Sequence, residues 1–222
     1  MRRALGVVVA LAWLGAAPAP AEPHRAAGVG RLTGTHVLLL PLDVNAYELA
    51  RGGASSVQAE RTEHARGWVR LAIAQLLPAD RVTVTTYAPP SEPERNERHV
   101  EVLNLQKLVR NAVVAHEYNV VTYLPSVGDR FAWSLGPGAA VLRDDDPSAR
   151  YGLFVEILER QMLGGALVTF GELGSDRLLA AASLVDLTTG DVLWLNFERG
   201  GSLATAADTT SVVTRLLRDL PF

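Results

Sequence analysis

Two apolar, strand-rich runs near the C-terminus, 178–187 and 192–197, are joined only by Thr188-Thr189-Gly190-Asp191. That connection holds a glycine able to take a positive φ, which is the chemistry of a tight turn. The spacing predicts a β-hairpin and commits this part of the chain to a sheet.

Upstream, strand and helix patterns alternate. Residues 37–40 form a continuous apolar run closed by Pro41, the pattern of a strand buried on both faces. Residues 81–87 alternate Val and Thr, and 151–158 read as a strand despite Gly152, because Leu153, Phe154, Val155 and Ile157 are mostly strand-favouring types. A helix is expected over 57–77, with Ala65, Trp68, Val69, Ala72, Ile73 and Leu76 on one stripe and Pro78 stopping it. A second runs from a Ser91 N-cap to about residue 116, with Val102, Leu105, Leu108, Val109 and Ala112 as its apolar face. Thr205 or Asp208 caps a last helix whose stripe is Val212, Val213, Leu216, Leu217 and Leu220. Segments 43–56 and 119–146 read as connections, the latter a loop with a short helix, in which Val120-Val121 could form a short strand and Gly136-Pro137-Gly138 interrupts residues 134–143. The expected fold is α/β (α+β): a mixed sheet of about five strands with amphipathic helices packed on it, and a C-terminal hairpin followed by a helix. Trp68 and Trp194 are the largest candidate core anchors.

The N-terminus carries an address. Met1-Arg2-Arg3 is positive, residues 4–17 are almost wholly apolar, and Ala19-Pro20-Ala21 offers the small residues that signal peptidase reads. A cleavable signal peptide is expected over 1–21, with cleavage after Ala21 and a periplasmic or secreted product. Pro18 and Pro20 end the apolar run short of the roughly 20 residues a bilayer core requires, so no integral span is expected in the mature chain. A flexible lead-in over 22–34 and a single α/β domain over 35–222 follow.

Hydrophobic residues make up 48% of the chain and charged residues 20%, which places it among folding sequences. A net charge of −3 gives no attraction to a phosphate backbone, so nucleic acid is not an expected partner. The absence of cysteine removes disulfides, iron–sulfur clusters, thiolate zinc sites, cysteine nucleophiles and lipid attachment through a thiol. Neither a metal nor a cofactor is expected.

No complete catalytic set is visible. The five histidines, His24, His36, His64, His99 and His116, lie outside any nucleophile motif such as G-x-S-x-G. His116-Glu117 begins like H-E-x-x-H, but Val120 stands where the second metal ligand belongs. Asp144-Asp145-Asp146 lacks the alternate spacing, the central glycine and the distal glutamate of a calcium loop. Two segments remain as candidates. Gly52, Gly53, Ser55 and Ser56 lie between an expected strand and helix, where free backbone N–H groups can hold an anion; the structural alternative is an entry turn with serine caps. Met162, Leu163, Leu167, Val168, Phe170 and Leu173 are interspersed with glycines, either as local packing or as a partner-binding patch.

The hairpin 182–194, Ala-Ser-Leu-Val-Asp-Leu-Thr-Thr-Gly-Asp-Val-Leu-Trp, resembles the "vDl.tGevlW" hairpin of periplasmic envelope-assembly proteins. These include the N-terminal domain of TolB, the curli secretion lipoprotein and the lipoprotein activators of cell-wall synthases. The run 37–42 followed by a long helix is similar to their opening strand and helix. This chain departs from many of them in lacking a lipid-attachment cysteine. The resemblance implies a small α/β domain used for binding, with no active site to carry over. The expected function is a non-enzymatic periplasmic protein-binding or envelope-assembly accessory protein whose partner is an envelope protein. The alternatives are a secreted hydrolase acting on envelope material, with a serine and a carboxylate gathered around His64 or His116, and a small-anion binder.

Overall fold

The computed structural model describes residues 22–27, 29–49, 55–118, 130–162 and 178–222. The expected signal peptide, 1–21, lies outside the described residues. The strands are β1 (His24–Arg25), β2 (Thr35–Leu39), β3 (Asp43–Leu49), β4 (Ser55–Val57), β5 (Val82–Thr86), β6 (Tyr151–Met162), β7 (Leu178–Asp186) and β8 (Val192–Arg199). The helices are α1 (Ala59–Leu76), α2 (Pro93–Glu117) and α3 (Ala206–Leu216), with a 3-10 helix at Pro137–Arg143. The class is the expected mixed α/β, but among the described residues the sheet has eight strands rather than about five.

The apolar run at the start of the domain is buried on both sides because β2 is an inner strand. Val37 and Leu39 enter one core layer and Leu38 and Leu40 the other. The sheet order is β1-β8-β7-β6-β2-β5, with β3 beside β6 and β4 beside β3. β2 runs parallel to both β5 and β6, whereas β6, β7 and β8 are antiparallel.

β6 is long enough to pair first with β2 and then with β3. Leu39 lies opposite Leu153 and Asp43 opposite Glu156, so Leu40, Pro41 and Leu42 face only Phe154 and Val155. One extra residue at a proline divides a single line of strand in two. The connection expected over 43–56 is therefore mostly strand. Its period-two signal is present, since Val44 and Ala46 are buried between more exposed neighbours, but Asp43, Asn45 and Glu48 mask it with types rare in strands.

Helices cover both faces. Trp194, fully buried, lies in the layer with Ala65, Val69 and Ile73 of α1 and Val212, Val213 and Leu216 of α3. The opposite layer places Leu38, Phe154, Val185 and Leu195 with Val113 of α2 and Leu142 of the 3-10 helix. Trp68 is only half-buried, so one of the two expected anchors is a core residue. Thr205 caps α3, its hydroxyl accepting from the Asp208 N–H at 3.1 Å and donating to the Asp208 carboxylate at 2.8 Å. Asn196, buried in β8, donates to the carbonyls of Arg215 and Leu216 and satisfies the other end of that helix.

The hairpin turns where expected. Gly190 has φ +83°, and a Cβ there would lie 2.0 Å from the carbonyl oxygen of Gly136. Within the lead-in, His24 and Arg25 pair with Leu195 and Trp194 of β8, and the Leu32 N–H donates to the Pro221 carbonyl at 2.7 Å. Part of that segment is thus laid along the sheet rather than free of it. Among the described residues no helix is long and apolar enough to cross a membrane.

Candidate functional site

α2 turns an unexpected face to the sheet. The residues buried beneath it are His99, Gln106, Arg110, Val113 and His116, while Leu105 is 40% and Leu108 67% exposed. The apolar face expected from spacing is corrected in part: Val102 and Val109 pack against the core and Ala112 is half-buried, but Leu105 and Leu108 are exposed. Polar groups can occupy the buried face because each meets a partner there. The Tyr87 hydroxyl lies 3.0 Å from Nδ1 of His99, Gln106 Nε2 donates to Ser183 Oγ at 3.1 Å, and Arg110 pairs with Glu156 of β6. Ala181 and Ser183 keep that part of β7 low enough for long side chains to lie over it. Burial pulls the His99 pKa below its ordinary value, and it pushes the Tyr87 hydroxyl up, assisted by the Asp145 charge.

A third side of α2 lines a crevice. From β2 the chain passes through α1 to β5 on one side and then through α2 to β6 on the other. The carboxyl end of β2 is thus a topological switch point, the place where open α/β sheets bind ligands. Pro41, Leu42, Val100 and Leu103 form a floor shared by two clefts. One, of about 280 Å³, holds the Lys107–Asp43 pair at 2.7 Å and the Arg110–Glu156 pair. The other, of about 450 Å³, is bordered by Arg66 and Arg70 of α1, Tyr87, Pro89 and Asn96. Beyond Tyr87 and Pro89 a third cleft of about 510 Å³ reaches Arg95, Asp145 and Asp146, where Arg95 and Asp145 pair at 2.7 Å.

A serine, a histidine and a carboxylate do come together, on His36 rather than on His64 or His116. Ser148 Oγ lies 2.6 Å from His36 Nδ1, and His36 Nε2 lies 3.3 Å from Asp146 Oδ2. The Ser148 hydroxyl donates to Asp146 Oδ1 and Thr85 donates to Oδ2 at 2.7 Å. These two bonds hold the Asp146 carboxyl below its usual pKa. In a hydrolytic triad the serine proton passes to the imidazole and backbone N–H groups await an oxyanion. Here the proton is aimed at the carboxylate, and the N–H groups of Ala149 and Arg150 are already donated to Asp146 and His36 carbonyls. The cluster is built as a latch between the start of β2 and the approach to β6.

The other histidines are separate from it. His64 is exposed beside Trp68, their ring centroids 5.9 Å apart, and His116 is buried with its ring centroid 5.7 Å from that of Trp133. Among the described residues no cluster of three or more potential metal ligands exists. Asp145 and Asp146 are engaged by Arg95 and by the latch.

Ser55 and Ser56 are exposed on β4, paired with Leu49 and Glu48, and α1 begins only at Ala59 after a Gln58 N-cap. They are strand residues rather than helix caps; Gly52 and Gly53 lie outside the described residues. Met162 ends β6 in register with Leu49, and Leu163, Leu167, Val168, Phe170 and Leu173 lie outside the described residues. The strand ends that lead into both candidate segments are therefore neighbours. The crevice residues escaped the sequence reading. Their signal is present as spacing: Arg66 and Arg70 stand at i,i+4 on α1, and Asn96, Val100, Leu103 and Lys107 recur at three-to-four spacing on α2.

No family model matches the chain, and no curated protein matches it. Among solved structures it is similar to the PelC dodecamer from Paraburkholderia phytofirmans, with 13% identity, a TM-score of 0.39, and coverage of 90% of this chain and 97% of that chain. A point variant of the same PelC gives 12% identity and a TM-score of 0.38 over the same coverage. The C-terminal domain of LpoB from Salmonella enterica gives 15% identity and a TM-score of 0.28, covering 79% of this chain and 87% of that one.

Proposed function

We propose that this protein is a non-enzymatic, exported accessory protein that acts by binding another protein of the cell envelope. The observation that carries the reading is the outer face of α2. The helix packs Val102, Val109 and Val113 on the sheet and turns His99, Gln106 and Arg110 inward, while Leu105 and Leu108, three residues apart, stay exposed on its outer face as apolar surface open to a partner. The export signature of residues 1–21 and the hairpin resemblance support the same reading. Met162, Leu163, Leu167, Val168, Phe170 and Leu173 are proposed as a second part of the partner surface.

The test is in vivo crosslinking of the mature protein in the periplasm followed by mass spectrometry, with Leu108→Glu and Leu167→Glu variants beside it. A stoichiometric envelope protein lost in either folded variant supports the proposal. A clean monomer in every sample overturns it.

The hydrolase reading rests on the Ser148, His36 and Asp146 cluster alone. Its check is covalent labelling with a fluorophosphonate, for which the hydrogen-bond directions predict no adduct at Ser148. The reading of Gly52, Gly53, Ser55 and Ser56 as an anion cradle predicts phosphate-induced NMR shifts at Ser55 and Ser56, and their absence removes it.

A further inference from the structure

We propose that the crevice between α1 and α2, at the carboxyl ends of β2 and β5, binds a small organic anion: a carboxylate or a phosphate monoester carried on an apolar group. This site is separate from the outer face of α2 and does not depend on the accessory reading.

Among the described residues, Arg66 and Arg70 are the charged side chains lining the cleft of about 450 Å³, and no acidic side chain is part of that lining. Arg66 is oriented by its own bonds, one to Glu63 and one to the Val44 carbonyl. Arg70 has no hydrogen bond or ion pair among the described residues. The other arginines around the crevice are each ion-paired, Arg66 with Glu63, Arg110 with Glu156 and Arg95 with Asp145, so Arg70 carries the uncompensated charge at this cleft. An anion beside Arg70 gains charge-assisted hydrogen bonds from an unpaired guanidinium, and Arg66, one helical turn away and paired with Glu63, borders the same space.

The adjoining clefts leave no competing position for that charge. Lys107 and Arg110 are neutralised by Asp43 and Glu156 in one, and the carboxylates of Asp145 and Asp146 border the other. The apolar part of the ligand has a defined place as well. Leu42, Val100 and Leu103 form the floor, Pro89 and Tyr87 a wall, and the Asn96 carboxamide is available beside them. Val100 is 43% exposed although it faces into the crevice, so a ligand seated there covers apolar surface that the fold leaves wet. The volume lies within the range of small-molecule sites, roughly 300 to 1,000 Å³.

The experiment is calorimetric and NMR titration of the purified protein with benzoate, phenyl phosphate, benzyl alcohol and benzylamine, at low and at high salt. Benzoate or phenyl phosphate is expected to bind about tenfold more tightly than the neutral and cationic analogues, and to weaken with salt. Which of the two anions binds more tightly identifies the acid group. Arg70→Gln is expected to reduce anion binding about fivefold or more with an unchanged melting temperature, and Arg66→Gln to do the same less cleanly because it also releases Glu63. Anions that bind no better than benzyl alcohol, or unaltered binding in Arg70→Gln, overturn the proposal.

Discussion

Arg110 of α2 and Glu156 of β6 form an ion pair beneath the helix, with the guanidinium 8% exposed and the carboxylate, at 29%, open to the crevice. A buried arginine left alone has nowhere to place its charge. Glu156→Ala is expected to destabilise the protein by about 2 to 3 kcal/mol, less than the roughly 3 to 5 kcal/mol of a fully buried pair because water reaches the carboxylate side. The double variant Arg110→Met/Glu156→Leu should recover most of that loss. Urea denaturation of the three proteins checks it, and a double variant no more stable than Glu156→Ala would contradict the account.

Trp194 and Trp68 separate the core from its margin. Trp194→Ala removes a fully buried ring from the layer between the sheet and the α1 and α3 helices and is expected to cost roughly 3 to 5 kcal/mol. Trp68→Ala, at a half-buried position next to His64, is expected to cost about 1 kcal/mol. Chemical denaturation of both variants reads the difference, and equal losses would place Trp68 in the core after all.

Acid should unlock the protein in two stages. Burial lowers the His99 pKa, with Arg95 and Arg98 acting in the same direction and Asp144 and Asp145 against it. The unfolded chain therefore takes up this proton first, and stability falls as pH drops below about 6.5 toward the lowered folded value. Asp146 is held low by Ser148 and Thr85, so its contribution is complete above about 3.9 and is lost as pH falls through its folded value. Denaturation midpoints between pH 7.5 and 5 should slope downward in the parent and flatten in His99→Met. An unchanged slope would remove His99 from the explanation.

Two glycines predict opposite outcomes for the same substitution. Gly190→Ala places a methyl against the Gly136 carbonyl at positive φ and should cost at least ~2 kcal/mol. Gly67 lies inside α1 with open space where its Cβ would stand, so Gly67→Ala should stabilise by about 0.5 to 1 kcal/mol. Thermal melts of the pair check both signs.

Element type was largely legible before the structure. The hairpin around Gly190, the Thr205 cap and the doubly buried run at β2 are local signals, in which the residues that decide the outcome are neighbours in sequence. The β3 strand was not legible, because Asp43, Asn45 and Glu48 disguise an alternation that the parallel ladder to β6 rewards. Ser55 and Ser56 suggested helix caps by position, yet an antiparallel pairing with β3 claims them first.

The sequence by itself determined the three long helices and the strands β2, β5, β6, β7 and β8, that α1 and α3 are amphipathic, and that thiol chemistry is absent. Tertiary structure alone decided which side of α2 is inside. Periodicity favoured Leu105 and Leu108, but the partners that make Gln106 and Arg110 tolerable under the helix come from Ser183 and Glu156, 77 and 46 residues away. The partners of Gln106 and Arg110 come from distant segments, and no local pattern records that supply. The same dependence assembled the crevice, since Arg70 and Val100 belong to different helices and meet only where β2 ends.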